Sequence, residues 1–227
     1  MFTGYSGETL DFLWGIRFNN DRGWFNEHKE TYLRCLYRPT LELGAQVQEL
    51  FSQQFPKLPM NLHVSRIYRD ARRLHGRGPY KDHLWFTLRP PQADSDGGGY
   101  PVFWFEVSPE GWSHGVGFWC ATPAMMAAMR RDMDEDPQRL QKLARKLSRQ
   151  SDFQLQGQEY ARPKTAPSPL LQPWYSKKNI SIGCDRPFDD LLCSAQLPEA
   201  MVKGFAFLVP YYQYFFSFCG GGLEDLR

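Results

Sequence analysis

Between Arg66 and Lys81 the sequence places six Arg or Lys residues and one carboxylate, Asp70, a local charge of +5 in a 227-residue chain whose total is +2. An aspartate flanked by Arg69 and Arg72 stays ionised and orients a guanidinium. That leaves Arg66 and Lys81 to meet a phosphate or carboxylate, and arginine suits the task because its planar fork donates two parallel hydrogen bonds. The residues expected to bind such a ligand are Arg66, Arg69, Asp70, Arg72, Tyr80 and Lys81. The competing expectation is an Arg–Asp network that pins the loop to a sheet and needs no ligand. On a strand, Arg66 and Tyr68 face one way and Ile67 and Arg69 the other, so the arginines form no single stripe. Gly76-Arg77-Gly78-Pro79 would let backbone N–H groups approach an anion, yet it lacks the P-loop pattern and equally suits a plain turn before a strand.

Two further constellations carry chemistry. Glu106 and His114 fall on neighbouring expected strands and make an acid–base pair if they share a face; a histidine hydrogen-bonded within the sheet is the competing reading. Asn20 and Arg22 sit at a helix entry, where amides bond backbone, or else turn toward the pocket of Lys81. The histidines His28, His63, His75, His83 and His114 lack metal-ligand spacing, so neither a metal nor a cofactor is expected. There is no G-x-S-x-G elbow, and Cys35, Cys120, Cys184, Cys193 and Cys219 form no C-x-x-C pair. A disulfide framework, a zinc ribbon and a serine or cysteine nucleophile are all unsupported.

The elements that must position these groups read as helices, then strands, then helices. Ser6 caps a first helix through Leu10, Leu13 and Trp14, Arg17–Asn20 is a turn, and Asp21 caps a second helix whose Trp24, Phe25, His28, Tyr32, Leu33 and Leu36 recur at helical spacing. Pro39 begins a third helix with Leu43, Val47, Leu50 and Phe51 on one face. From Leu62 to Arg69 the period is two, which reads as a strand entering the basic loop. Leu84–Arg89, Tyr100–Ser108 and Trp112–Trp119 follow as strands, with residues 94–99 and Pro109-Glu110-Gly111 as turns. Thr122-Pro123 and Asp136-Pro137 each start a helix by cap and first-turn proline. A proline-interrupted connector over 162–173 precedes a short strand at Ile180–Ile182, a helix near Phe188–Cys193 and a last helix from Pro198. The expected fold is α+β: one domain over 1–227, a mainly antiparallel meander packed with helices from the N- and C-terminal parts.

Several separated motifs resemble the DUF2461 family of conserved uncharacterised proteins. Phe18-Asn19-Asn20-Asp21-Arg22-Gly23-Trp24-Phe25, with His28, Lys29 and Tyr32 after it, resembles the family's N-terminal motif. Arg66-Ile67-Tyr68-Arg69-Asp70-Ala71-Arg72 followed by Pro79-Tyr80-Lys81 resembles its central motif. The strand pair with Gly115-Val116-Gly117, and more weakly Pro210-Tyr211-Tyr212, are also similar. The sequence departs from the pattern at Ala71, where the family has threonine, and in the spacer Arg73-Leu74-His75-Gly76-Arg77. The resemblance implies an α+β fold over nearly the whole chain and brings no activity with it.

Composition bounds the rest. Aromatic residues make up 15% of the chain and the hydrophobic fraction is 42%, so the core is expected to be built from rings. The apolar stretch Gly204–Cys219 is too short for a bilayer span and holds Pro210 and Gln213, so it reads as a buried, bent helix and no membrane association is expected. Met1–Glu8 has no basic region followed by an apolar run, and a cytoplasmic location is the expectation. Three functions follow in order: a pocket for a small anionic ligand around Arg66–Lys81, enzymatic or not; a nucleic-acid binder using the +5 segment with Tyr80 or Trp85 as stacking platform; and a protein-interaction module using the aromatic C-terminal helix or a sheet edge. A pI near 8.2 is modest for a dedicated nucleic-acid protein. Oligomeric state is not legible at this level.

Overall fold

A computed structural model describes residues 1–70, 72, 74, 76–93, 99–162 and 164–219. Its frame is a six-stranded antiparallel sheet ordered β1-β2-β3-β4-β6-β5, formed by β1 (Asn61–Val64), β2 (Leu84–Arg89), β3 (Pro101–Ser108), β4 (Gly111–Phe118), β5 (Gln154–Gln156) and β6 (Ser181–Arg186). The first four strands are the expected meander. The short strand expected at Ile180–Ile182 is the start of β6, and β5, absent from the sequence reading, pairs on its far side. Helices α1 (Gly7–Phe18), α2 (Arg22–Glu27), α3 (Lys29–Thr31) and α4 (Arg38–Gln54) come before the sheet; α5 (Pro123–Glu135), α6 (Pro137–Ser148), α7 (Gln172–Tyr175) and α8 (Leu197–Phe216) come after β4. The architecture is α+β, as composition and pattern indicated.

The N-terminal helices differ from expectation for a local reason. Between α3 and α4 the chain stays helical through a π turn, Tyr32–Tyr37, so Pro39 lies inside one continuous helical run instead of opening a new helix. Proline has no N–H to give the carbonyl four residues back, which is Cys35. That carbonyl instead accepts the Thr9 hydroxyl at 2.8 Å. One residue further on, Thr40 Oγ1 donates to the Leu36 carbonyl at 2.7 Å and also contacts Tyr5 Oη at 2.7 Å. A π turn with side-chain hydroxyls closing its open carbonyls absorbs the proline without breaking the helix.

Strand alternation gives the sheet two unlike faces. Leu84, Phe86 and Leu88 of β2, Phe103, Phe105 and Val107 of β3, and Val116 of β4 point to the inner face and are fully buried. There α4 packs against β1 and β2, and α8 against β3 and β4. Phe103 is the junction, with its ring centroid 5.0 Å from Phe205 and 5.1 Å from Tyr212 of α8. The aromatic C-terminus is thus spent on the core: Phe205, Tyr211, Tyr212, Phe215 and Phe216 are all buried. No described helix is long and apolar enough to cross a membrane.

Three smaller differences matter. Arg17 and Phe18 belong to α1, so only Asn19-Asn20 form the turn before α2. The alternation begun in β1 changes phase after Val64, because Ser65 and Ile67 are both buried while Arg66 and Tyr68 are exposed. The helix expected near Phe188–Cys193 is a set of turns, since the Asp189 side chain takes the Leu192 N–H at 3.0 Å together with the Trp112 indole N–H and the Arg186 guanidinium. Residues 94–98 of the expected hairpin connection lie outside the described residues.

Candidate functional site

The basic segment is held by a small backbone ladder. Tyr68 and Tyr80 form an isolated antiparallel bridge, Arg69 N–H donates to Pro79 O at 2.8 Å, and Lys81 N–H donates to Ile67 O at 2.7 Å. Asn20 extends that ladder with its side chain. Its amide donates to Tyr80 O at 3.0 Å while its Oδ1 accepts from Tyr80 N–H at 2.9 Å, as a neighbouring strand would. The contact requires glycine at position 78, where an added Cβ would lie 2.2 Å from Asn20 Oδ1.

The six residues expected to bind an anion go to different places. Arg69 turns inward, donating from Nε to Tyr80 O at 2.6 Å and lying 3.6 Å from Asp82. Tyr80 is 3% exposed, its ring stacked on Phe25 at 4.2 Å. Arg69 and Tyr80 therefore build the framework. Asp70 does orient a guanidinium, that of Arg72, through bonds of 3.0 and 3.1 Å to Nη2 and Nε, and this pair stands exposed. Arg66 is exposed, and its carbonyl accepts Lys81 Nζ. Lys81 is half-buried and lies over the Trp85 ring, 5.5 Å from its centroid. Arg22 is exposed at the start of α2 and faces the Tyr80 phenol electrostatically. Ala71, Arg73 and His75 lie outside the described residues.

Lys81 leads onto the outer face of the sheet, opposite the packing helices. There the register runs Trp85 to Glu106 to Ser113 to Asp185 across β2, β3, β4 and β6. Trp104 lies flat beside this row: a Cβ on Gly115 would meet its ring at 2.4 Å and one on Gly183 at 3.0 Å. Side chains at those two positions would lift the indole, so the glycines set a shallow floor. Beyond Trp85, Trp119 stacks with it at 6.2 Å and is 74% exposed, and His63 lies 5.6 Å away. At the far end Gln156 donates to Asp185 at 2.7 Å.

The outer face concentrates ionisable groups in partial burial. Burial pushes the Glu106 carboxyl above the ordinary range; His83 and Lys81 pull it down, and Asp82 and Asp185 push it up. Burial, followed by the charges of Arg69 and Arg66, lowers the Lys81 ammonium below its ordinary value. Both shifts disfavour the charged form of the group, as partial burial does. Asp82 anchors the rim. Burial alone would raise its pKa, but hydrogen bonds from Arg17 (2.6 Å) and His83 (3.1 Å) outweigh that and hold it below the usual carboxylate range. Arg17 also makes a two-pronged ion pair with Glu110 in the β3–β4 turn.

Glu106 and His114 do not meet. Phe105 is the residue opposite His114, and Glu106 is opposite Ser113, so the two side chains lie on different faces. His114 is buried on the inner face between Trp112, Phe153 and Phe205, with no hydrogen bond to Nδ1 among the described residues. The sequence pattern left Asp82, Trp104 and Asp185 without a role and offered His83 only as a metal ligand lacking the spacing for one. The signal available was the second phase of the strand alternation, in which Trp85 and Thr87 on β2 answer Trp104 and Glu106 on β3, with Gly115, Gly117 and Gly183 across from them.

Comparison with curated proteins finds no match. The family model described as "Conserved hypothetical protein (DUF2461)" matches residues 8–214, a span that includes the Asn20 ladder, the Lys81 turn and every outer-face residue named above. The chain belongs to the DUF2461 family.

Proposed function

We propose that this protein binds a small anionic, ring-bearing ligand on the outer face of its sheet. Lys81 and Arg66 meet the anionic group, Trp85 stacks on the ring, and the half-buried Glu106 carboxyl lines the site beside them. The Asp70-oriented Arg72 adds positive charge at the rim, while Arg69, Tyr80 and Asn20 hold the loop in place. The observation that carries the reading is the juxtaposition of half-buried Lys81 and Glu106 around the Trp85 ring, on a face whose Gly115 and Gly183 keep the floor low. Partial burial strengthens a charge-assisted hydrogen bond by removing competing water.

Tryptophan fluorescence during titration with phenyl phosphate tests it, with inorganic phosphate as the anion lacking a ring. Saturable quenching by phenyl phosphate is expected, with Lys81→Ala weakening it about tenfold, the equivalent of about 1.4 kcal/mol. Absence of saturable quenching, or an unchanged affinity in Lys81→Ala, overturns the reading. The stack of half-buried Trp85 with exposed Trp119 favours a second reading, single-stranded nucleic acid, whose bases would use the same rings. Oligonucleotide binding that falls steeply with added salt supports it, and binding that is absent or indifferent to salt removes it.

A further inference from the structure

A second polar site lies away from the sheet face and shares no residue with it. The stripe of α5 formed by Met125, Met126, Met129 and Met133 is buried in the core. Helical spacing puts Ala127, Arg130, Arg131 and Asp134 on another stripe, and together with Tyr160, Arg162, Lys164 and Tyr175 they line a cavity of about 450 Å³. That volume suits a small metabolite. The lining holds four cations against a single carboxylate. The carboxylate is already engaged, because Asp134 accepts the Tyr175 hydroxyl at 3.0 Å.

Among the described residues the cations of the lining outnumber its carboxylates and are not balanced by them. Arg131, Arg162 and Lys164 make no ion pair among the described residues. Arg130 is set in place without being neutralised: it donates to the Lys177 carbonyl at 3.3 Å, and its guanidinium lies 5.2 Å from the Tyr160 ring centroid. Lys178 lies 5.5 Å from the same centroid and adds a fifth cation beside the cavity. Like charges gathered around one concavity repel each other, and a bound anion relieves that repulsion. Ala127 leaves the space between the arginines and the connector open.

We infer that this cavity is a binding site for a phosphate-bearing small molecule, with Arg131 and Arg162 gripping the phosphate oxygens, Lys164 and Arg130 supplying further charge, and Tyr160 forming the wall that fixes Arg130. Arginine forks match the oxygens of a phosphate bidentately, and two of them from different segments, α5 and the connector, favour a ligand with more than one anionic group.

The test is calorimetric titration of the full chain with inorganic pyrophosphate, with sulfate at matched ionic strength as control. Pyrophosphate is expected to bind one-to-one at least tenfold more tightly than sulfate. Arg131→Ala combined with Arg162→Ala is expected to weaken it at least tenfold; both side chains are exposed, so the fold is retained, which circular dichroism verifies. Ala127→Glu, which keeps a helix-favouring residue while placing a carboxylate in the cavity, is expected to abolish binding. Lys81→Ala is expected to leave it unchanged, so this site and the sheet-face site succeed or fail separately. Pyrophosphate binding no tighter than sulfate, or binding untouched by the double substitution, overturns the inference.

Discussion

Acidification should destabilise this protein through His114. The imidazole lies in a row of the inner face between Phe105 and Cys184, with Trp112, Phe153 and Phe205 around it. Burial is the main cause of its depressed pKa and the Arg186 charge adds to it, so the group is lowered from 6.5 to about 4. The unfolded chain therefore binds a proton at a pH where the folded chain refuses it, and stability falls as pH drops from the unfolded value toward the folded one. Between about pH 7.5 and pH 5 the loss from this residue comes to about 2 kcal/mol, and the full window is worth about 3 kcal/mol. Of the neighbouring groups, Cys184 has its thiol pKa raised by burial and stays neutral throughout. Asp82 and Asp189, whose pKa values are lowered in the fold, withdraw their stabilisation only at still lower pH. Glu106, whose pKa is raised, acts in the opposite direction and gains stability on acidification. Urea unfolding at a series of pH values, on wild type and His114→Phe, isolates the histidine, because the readout is the difference in pH slope and not the absolute stability. A wild type whose slope between pH 7.5 and pH 5 matches that of the variant would refute the reasoning.

Other expectations follow from the framework of the site. Asn20→Ala deletes both bonds to the Tyr80 backbone, leaving the part-buried N–H without its side-chain acceptor while the C=O keeps the Arg69 guanidinium; a loss of about 1 to 2 kcal/mol is expected in chemical denaturation. Thr9→Val keeps the shape but removes the hydroxyl that serves the Cys35 carbonyl opposite Pro39, and about 1 to 2 kcal/mol of destabilisation is expected by the same measurement. Carbon-detected NMR should find Glu106 titrating above an ordinary glutamate. Lys81→Met should raise it further, because the ammonium favours the carboxylate form, and a downward move would contradict the geometry.

What the sequence determined by itself was whatever local pattern dictates. The capping residues Asp21 and Thr122 take the N–H groups of Trp24 and Met125 as their types predict. Alternation over Leu84–Arg89 and 100–108 gave two strands and, with two turns, the antiparallel meander; the motifs around Asn20 and Lys81 gave the family. The aromatic tail read correctly as core. Tertiary structure alone decided what that local pattern leaves open. Pro39 sits inside a helix because Thr9, far away in the chain, supplies the missing donor. Strand β5 exists because β6 offers it an edge, and three residues of Gln-Leu-Gln carry no signal of their own. Charge density in the chain pointed to the Arg66–Lys81 segment but left open which of its cations the fold engages. Arg69 is consumed by a carbonyl and by Asp82, whereas Lys81, Glu106 and Asp185, far apart in sequence, are brought onto one face by strand register. The four cations around Ala127 converge only when the connector folds back over α5. Spacing along a chain predicts which neighbours share a helix face or a strand face; which side chains are left unpaired depends on partners that only the folded chain brings within reach.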